Sequence, residues 1–242
     1  MTFVSPERFN KKTPTCSAVI AAGGQSLRMN GEDKLFVDIC GVPALAHTLA
    51  AFQGSKYISE IIIVTREDSI LRVIECCELY KIDKMQAVIA GGATRLQSTL
   101  NGVYAVSDKK TLIAIHDGAR PCVTQTIIEK AVLAAAKYHA AAPGIQISST
   151  VKSAKNRFIT ATVDRDSLYE IQTPQVFRAE IIKAALTNAI KKSIEVTDDC
   201  MAVELLGMHV YITEGSAYNI KLTKAEDILL VESILRKFGT LI

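Results

Sequence analysis

The sequence predicts an α/β fold, an open and mostly parallel sheet with helices on both faces. Three observations carry this. Short apolar runs recur along the chain, amphipathic stretches with apolar residues at three- and four-residue spacing lie between them, and no repeat or low-complexity linker interrupts the alternation. With 242 residues and 49% hydrophobic content, the chain is long and apolar enough for one large domain with a real core.

The strand candidates are "SAVIAA" (17–22), "ISEIIIVT" (58–65), "MQAVIA" (85–90), "TLIAIH" (111–116), "AAAPGIQI" (140–147) and "HVYITE" (209–214). The first four are apolar almost throughout, as expected of parallel strands covered on both faces. Helices are expected over 44–52, 69–80, 94–105 and 124–139, with Thr94 and Thr124 as N-caps. The first fifteen residues are polar, contain Pro6 and Pro14, and read as a loose tail, leaving 16–242 as a single domain. Residues 148–177 break the rhythm with β-rich pieces around the polar turn "SAKNR", a projecting hairpin arm at about 148–174. Such an arm either embraces a second subunit or is a solvated excursion, and its residues alone favour neither.

Composition narrows the function. The net charge of +3 comes from mixed charges, so no basic block suggests a nucleic-acid or membrane surface. The longest apolar runs are far too short to span a bilayer. None of the six cysteines forms a C-x-x-C pair or has a histidine at ligand spacing, which argues against a structural zinc site. No signal peptide is visible, so reduced thiols in the cytoplasm are expected. Arg8, Lys11 and Lys12 would suit a transit peptide, but Glu7 and the shortness of the tail argue against one.

In open parallel sheets, ligands bind beyond the carboxyl ends of the strands. The first strand end brings Ala22, Gly23 and Gly24, then Arg28 and Lys34. The others bring "AGGATRLQS" (90–98), "HDGARP" (116–121) and, after the last strand, "NIKLT" (219–223). Glycines, cations, hydroxyls and one carboxylate suit a nucleotide and a metal ion. The first loop matches neither the P-loop nor the dinucleotide fingerprint. Its glycines can still turn backbone N–H groups onto an anion, Arg28 can fork onto phosphate and Lys34 supplies a compact charge; the alternative is a plain turn with two solvated cations. Asp117 can hold Mg²⁺ together with substrate phosphates, and Arg120 can bind a second anion; the alternative is an Asp–Arg surface pair. His116 reads as a structural strand-end histidine. No Ser–His–Asp set or catalytic Cys pairing is evident. That fits a nucleophile already ionised, such as a phosphate monoester attacking the α-phosphorus of a nucleoside triphosphate.

Taken in order, "AAGGQSLRM…DK", "GGATRLQS", "HDGARP", "TVDRDSLY", "QTPQVF", "VTDD" and "NIKLT…ED" resemble the 2-C-methyl-D-erythritol 4-phosphate cytidylyltransferase family, from about Ser17 to Leu235. The resemblance implies a Rossmann-like sheet and transfer of CMP from CTP to methylerythritol phosphate with Mg²⁺, releasing pyrophosphate, a step of non-mevalonate isoprenoid synthesis. It implies that Arg28 and Lys34 grip the triphosphate and that Gly91, Gly92 and Ser98 read cytosine and ribose. Asp117 would bind Mg²⁺, and Lys221 would stabilise the α-phosphate in the transition state. Arg120, Thr150, Arg165, Thr173 and Thr197 would line the acceptor pocket. The arm would be a dimerisation arm whose Thr and Arg serve the neighbouring subunit's site, so a homodimer is expected. Three positions depart from the family pattern: Ala93 where an acidic residue is usual, Gly118 where Ala is usual, and Ser149 where Asp commonly precedes the Thr. Ribitol 5-phosphate cytidylyltransferase shares the CTP machinery and the arm, but "HDGARP" matches the methylerythritol enzymes better. A catalytically idle nucleotide-binding scaffold would have no need of Arg28, Lys34, Asp117 and Lys221 together.

Overall fold

The computed structural model describes residues 14–24, 33–107 and 111–239. Strand β1 (Cys16–Ala22) is followed by the small ladder β2 (Asp38–Ile39) and β3 (Val42–Pro43), then α1 (Ala44–Gly54) and β4 (Ile58–Thr65). Helix α2 (Ile70–Leu79), β5 (Met85–Ala90), α3 (Arg95–Ala105), β6 (Leu112–Asp117) and α4 (Gln125–Tyr138) complete the alternating half. Strand β7 (Ala140–Gln146) leads to the hairpin β8 (Val151–Lys155) and β9 (Phe158–Val163), then to β10 (Tyr169–Ile171) and β11 (Gln175–Arg178). Helices α5 (Ala179–Lys191) and α6 (Asp199–Glu204), strand β12 (Tyr211–Glu214) and α7 (Glu226–Phe238) close the chain.

The main sheet runs β10-β7-β11-β6-β1-β4-β5, with β12 also paired to β7. The expected parallel core is there: β5, β4, β1 and β6 are mutually parallel. The second half is mixed, because β11 enters antiparallel between β6 and β7 and β10 runs antiparallel to β7. Alternate residues of each strand point to opposite faces, so Ile61 and Ile63 join one core with Ile20, α1, α2, α4 and α7. Val19, Ile62 and Val64 join the other with α3, α5 and α6. Helix α3 lies so close to the sheet that a Cβ on Gly102 would sit 2.4 Å from Val19 Cγ1.

Thr94 and Thr124 cap α3 and α4 as expected, accepting hydrogen bonds from the Gln97 and Ile127 N–H groups. Two features differ from expectation. "MQAVIA" is the edge strand β5 and only half-buried, since nothing pairs beyond it. Helices α5, α6 and α7 go beyond the four expected. The arm is a hairpin paired only to itself, with Asn156 and Arg157 forming a two-residue turn at φ +51° and +69°. That backbone twist matches the strands it joins. Phe158 and Ile159 on the arm are 77% and 68% exposed.

Candidate active site

The carboxyl ends of β1, β5 and β6 and the chain after β12 converge on one cleft. It is lined by Ala22, Gly23, Gly24 and Lys34 from the first loop, Gly92, Ala93, Arg95 and Ser98 from the second, and Asp117 and Lys221. Thr65, at the end of β4, ties two of these loops together. Its hydroxyl donates to Ala22 O at 3.0 Å and its carbonyl accepts from Gly91 N at 2.7 Å. Ser98 secures the second loop, accepting from Gly92 N at 3.0 Å while its hydroxyl reaches Thr94 O at 2.8 Å. A Cβ on Gly91 would fall 2.7 Å from that hydroxyl oxygen, so the loop needs glycine there.

Asp117 is the charged centre. It is 9% exposed, and its Oδ2 lies 3.1 Å from Lys221 Nζ and 3.2 Å from Arg120 Nε. Burial alone would push its carboxyl up. The charges of Lys221, Arg120 and Arg95 more than reverse that and hold it at about 2. Arg120 also donates from Nη1 to Asn219 O at 2.7 Å. The Asn219 amide donates to Thr173 O at 3.0 Å and Gln172 Oε1 at 3.2 Å, and Leu222 N donates to Ala119 O at 2.8 Å. Lys221 is thus held between two anchored neighbours. His116 is fully buried and stays neutral, burial lowering it to about 3; its Nδ1 meets the Thr173 hydroxyl at 2.9 Å. That histidine lines neither this cleft nor the one on the other side of Lys221.

A second cleft opens on the other side of Lys221. It is lined by Arg120, Gln146, Ser148, Ser149, Gln172, Asn219 and Lys221. Lys221 therefore faces both clefts. The remaining expected residues fall in three places. Thr173 is buried behind the site, its hydroxyl accepting from Asp117 N at 3.2 Å, so it braces the carboxylate's backbone. Thr150 and Arg165 are exposed at the base of the arm, outside both linings, and Arg165 Nη1 donates to Ser148 O at 2.5 Å. Thr197 is exposed just ahead of α6. Arg28 lies outside the described residues.

Sequence reasoning missed Arg95. Its guanidinium lines the first cleft and forks onto fully buried Asp199 at 2.7 and 3.2 Å. Burial pushes the Asp199 carboxyl up and Arg95 counters it. Gln175 locks α6 beneath this pair, accepting from Asp199 N and Cys200 N and donating to Asp198 Oδ2. Both halves sit in quoted motifs, "GGATRLQS" and "VTDD", but 104 residues separate them.

Among the described residues, no group of three or more His, Cys, Asp or Glu could hold a metal ion. No helix among them is long and apolar enough to cross a membrane.

Known proteins bear on this geometry directly. The family model for 2-C-methyl-D-erythritol 4-phosphate cytidylyltransferase matches residues 16–237. A protein of that name from Halalkalibacterium halodurans is 40% identical over 220 residues, covering 90% of this chain and 96% of its own. Another from Clostridium novyi is 39% identical over 226 residues, covering 92% and 97%. The crystal structure of 4-diphosphocytidyl-2C-methyl-D-erythritol synthase from Anaerococcus prevotii superposes with a TM-score of 0.83 at 30% identity, over 93% of this chain and 97% of that one. These matches run through every strand end that builds the cleft, and the chain belongs to the 2-C-methyl-D-erythritol 4-phosphate cytidylyltransferase family.

Proposed function

We propose that CTP binds in the first cleft and methylerythritol phosphate in the second, and that the cytidylyl group crosses between them at Lys221. The observation that carries this is that Lys221 lines both clefts, with Asp117 and Arg120 bound to the same centre. Lys34 and Arg28 grip the triphosphate, and Gly91, Gly92 and Ser98 take the cytosine and ribose. The acceptor phosphate needs no base because it is already ionised. One of its oxygens forms a bond to the α-phosphorus while the bond from that phosphorus to the bridging oxygen breaks, and pyrophosphate leaves with the electron pair. Lys221 stabilises the charge that builds on the α-phosphate oxygens.

Asp117 is the one carboxylate among the described residues lining the first cleft. One carboxylate beside a phosphate site is the donor set Mg²⁺ takes with nucleotides, so Asp117 would hold Mg²⁺ here. When bound, that ion would neutralise part of the negative charge on the phosphates. Thr173 fixes Asp117 from behind. Arg120, which lines the second cleft, binds the acceptor's phosphate; Thr197 lines neither cleft.

The exposed Phe158 and Ile159 and the self-paired arm support a homodimer in which Thr150 and Arg165 reach the neighbouring subunit's acceptor cleft. An isolated two-stranded hairpin is marginal in water, and a partner surface would complete it. The residues from 16 onward act as one domain, and residues 1–13 of the expected tail lie outside the described residues. The six free cysteines suit a reducing compartment such as the cytoplasm.

A kinetic split tests the assignment of clefts. Lys34→Ala should raise KM for CTP about tenfold, the scale of one charge-assisted contact, and leave KM for the acceptor alone. Arg120→Lys keeps a cation beside Asp117 but loses the fork, and should raise KM for the acceptor instead. Reversed effects would overturn the assignment.

A further inference from the structure

The end of β4 contributes nothing to the linings of the two clefts beyond Val64, yet it touches the loops after β1 and β5 on the nucleotide side. Thr65 holds Ala22 through its hydroxyl and Gly91 through its carbonyl. Arg66, the next residue, reaches the point where the first loop returns to the fold: its Nη2 donates to Asp33 Oδ2 at 3.1 Å. Asp33 immediately precedes Lys34. Its other oxygen accepts from Leu35 N at 3.1 Å and its carbonyl accepts from Phe36 N at 2.8 Å, so Asp33 sets the turn that carries Lys34.

Arg66 is itself prepared for this. Its Nε donates to Asp68 Oδ1 at 3.0 Å and its Nη2 also to Ser69 Oγ at 3.0 Å. Both partners stand on the turn that starts α2, so the guanidinium is fixed on its own element before it meets Asp33. The Asp33 carboxylate is largely covered, with 12% of its side chain exposed. A partly covered, braced pair holds geometry better than an exposed one.

We infer that Thr65 and Arg66 form a positioning hub for the nucleotide cleft, and that the Arg66–Asp33 pair sets where Lys34 meets the triphosphate. Neither residue touches substrate in this scheme. They act through Ala22, Gly91 and Lys34, and a small misplacement of such groups is enough to weaken catalysis. The inference rests on CTP occupying the first cleft.

Steady-state kinetics of Asp33→Asn, Arg66→Gln and Arg66→Lys, each with CTP and methylerythritol phosphate varied separately, tests it. Asp33→Asn can keep the bond to Leu35 N while losing the ion pair, so the turn survives and only the tether is cut. The expected result is a rise in KM for CTP of about tenfold in Asp33→Asn and Arg66→Gln, with KM for the acceptor unchanged. Arg66→Lys, which keeps the charge, should recover part of the loss, and the double variant Asp33→Asn/Arg66→Gln should be no worse than either single one. An unchanged KM for CTP, or both KM values rising together as a general loss of folded enzyme would give, would overturn the inference. Lys34→Ala separates this from the underlying reading. If it raises KM for CTP while the Asp33 and Arg66 variants do not, the hub fails and the cleft assignment stands. If Lys34→Ala leaves KM for CTP unchanged, the cleft assignment itself fails.

Discussion

Asp117 shows how a carboxylate that is costly to bury is kept charged by its neighbours. A carboxylate at this depth is unfavourable by itself, yet Lys221 and Arg120 keep it ionised with a value near 2. The sign of the pH dependence follows. Its folded value is depressed below the ordinary carboxylate range, so its contribution to stability is full above about pH 4 and is lost as pH falls toward 2. The span between those values corresponds to about 2 kcal/mol. Denaturant unfolding of the wild type and Asp117→Asn from pH 7 to pH 2 checks it. The wild type's advantage should be flat at neutral pH and should shrink below about pH 4; an advantage that grows on acidification would contradict the ion-pair account. Much of this residue scale was legible in the sequence. "HDGARP" places a carboxylate, a cation and small residues at a strand end, which suits a metal and an anion once it is read with the other strand-end motifs. Arg95 with Asp199 was not legible, because no local spacing pairs residues 104 apart. The use of Thr173 was also hidden: its hydroxyl is taken up by His116 and Asp117 rather than left open.

At the scale of elements, sequence pattern spoke where local physics decides. β1, β4 and β6 are covered by helices on both faces, and their continuous apolar runs say so. Capping threonines mark α3 and α4 because the orphan N–H groups there need an acceptor. β5 carries the same apolar composition but sits at the edge, since strand order is a tertiary property. β11 lies at the end of the β-rich stretch 148–177 that reads as a projecting hairpin, and only the assembled sheet shows it running antiparallel between β6 and β7. Helix α5 did carry a signal, with Ile182, Ala185, Leu186 and Ala189 on one buried face. The arm was legible through its polar turn, and its proposed role is testable at this scale. Arg165→Ala and Lys221→Ala would damage different subunits' contributions to one composite site. Mixed and allowed to exchange, the two inactive variants should recover part of the wild-type rate, because a heterodimer retains one intact site. No recovery despite demonstrated exchange would show that each site is built from one chain.

For the whole molecule, the topology brings the two clefts together at one junction. The parallel half of the sheet ends in the glycine loops that line the first cleft, and the mixed half ends in the base of the arm, β10 and the 215–223 segment, which line the second. The two halves meet at β6, and Asp117 is its last residue. Lys221 arrives from far along the chain and is fastened there through Asn219, Leu222 and Arg120. Family membership across residues 16–237 accounts for the reaction, and this junction is where we propose that it takes place. The most direct measurement is the single-turnover rate of Lys221→Ala with CTP and methylerythritol phosphate both saturating. Removing one electrostatic stabiliser should lower that rate by about 10²-fold or more, with CTP still bound as judged by titration. A near-normal rate would contradict the claim that transfer takes place across Lys221.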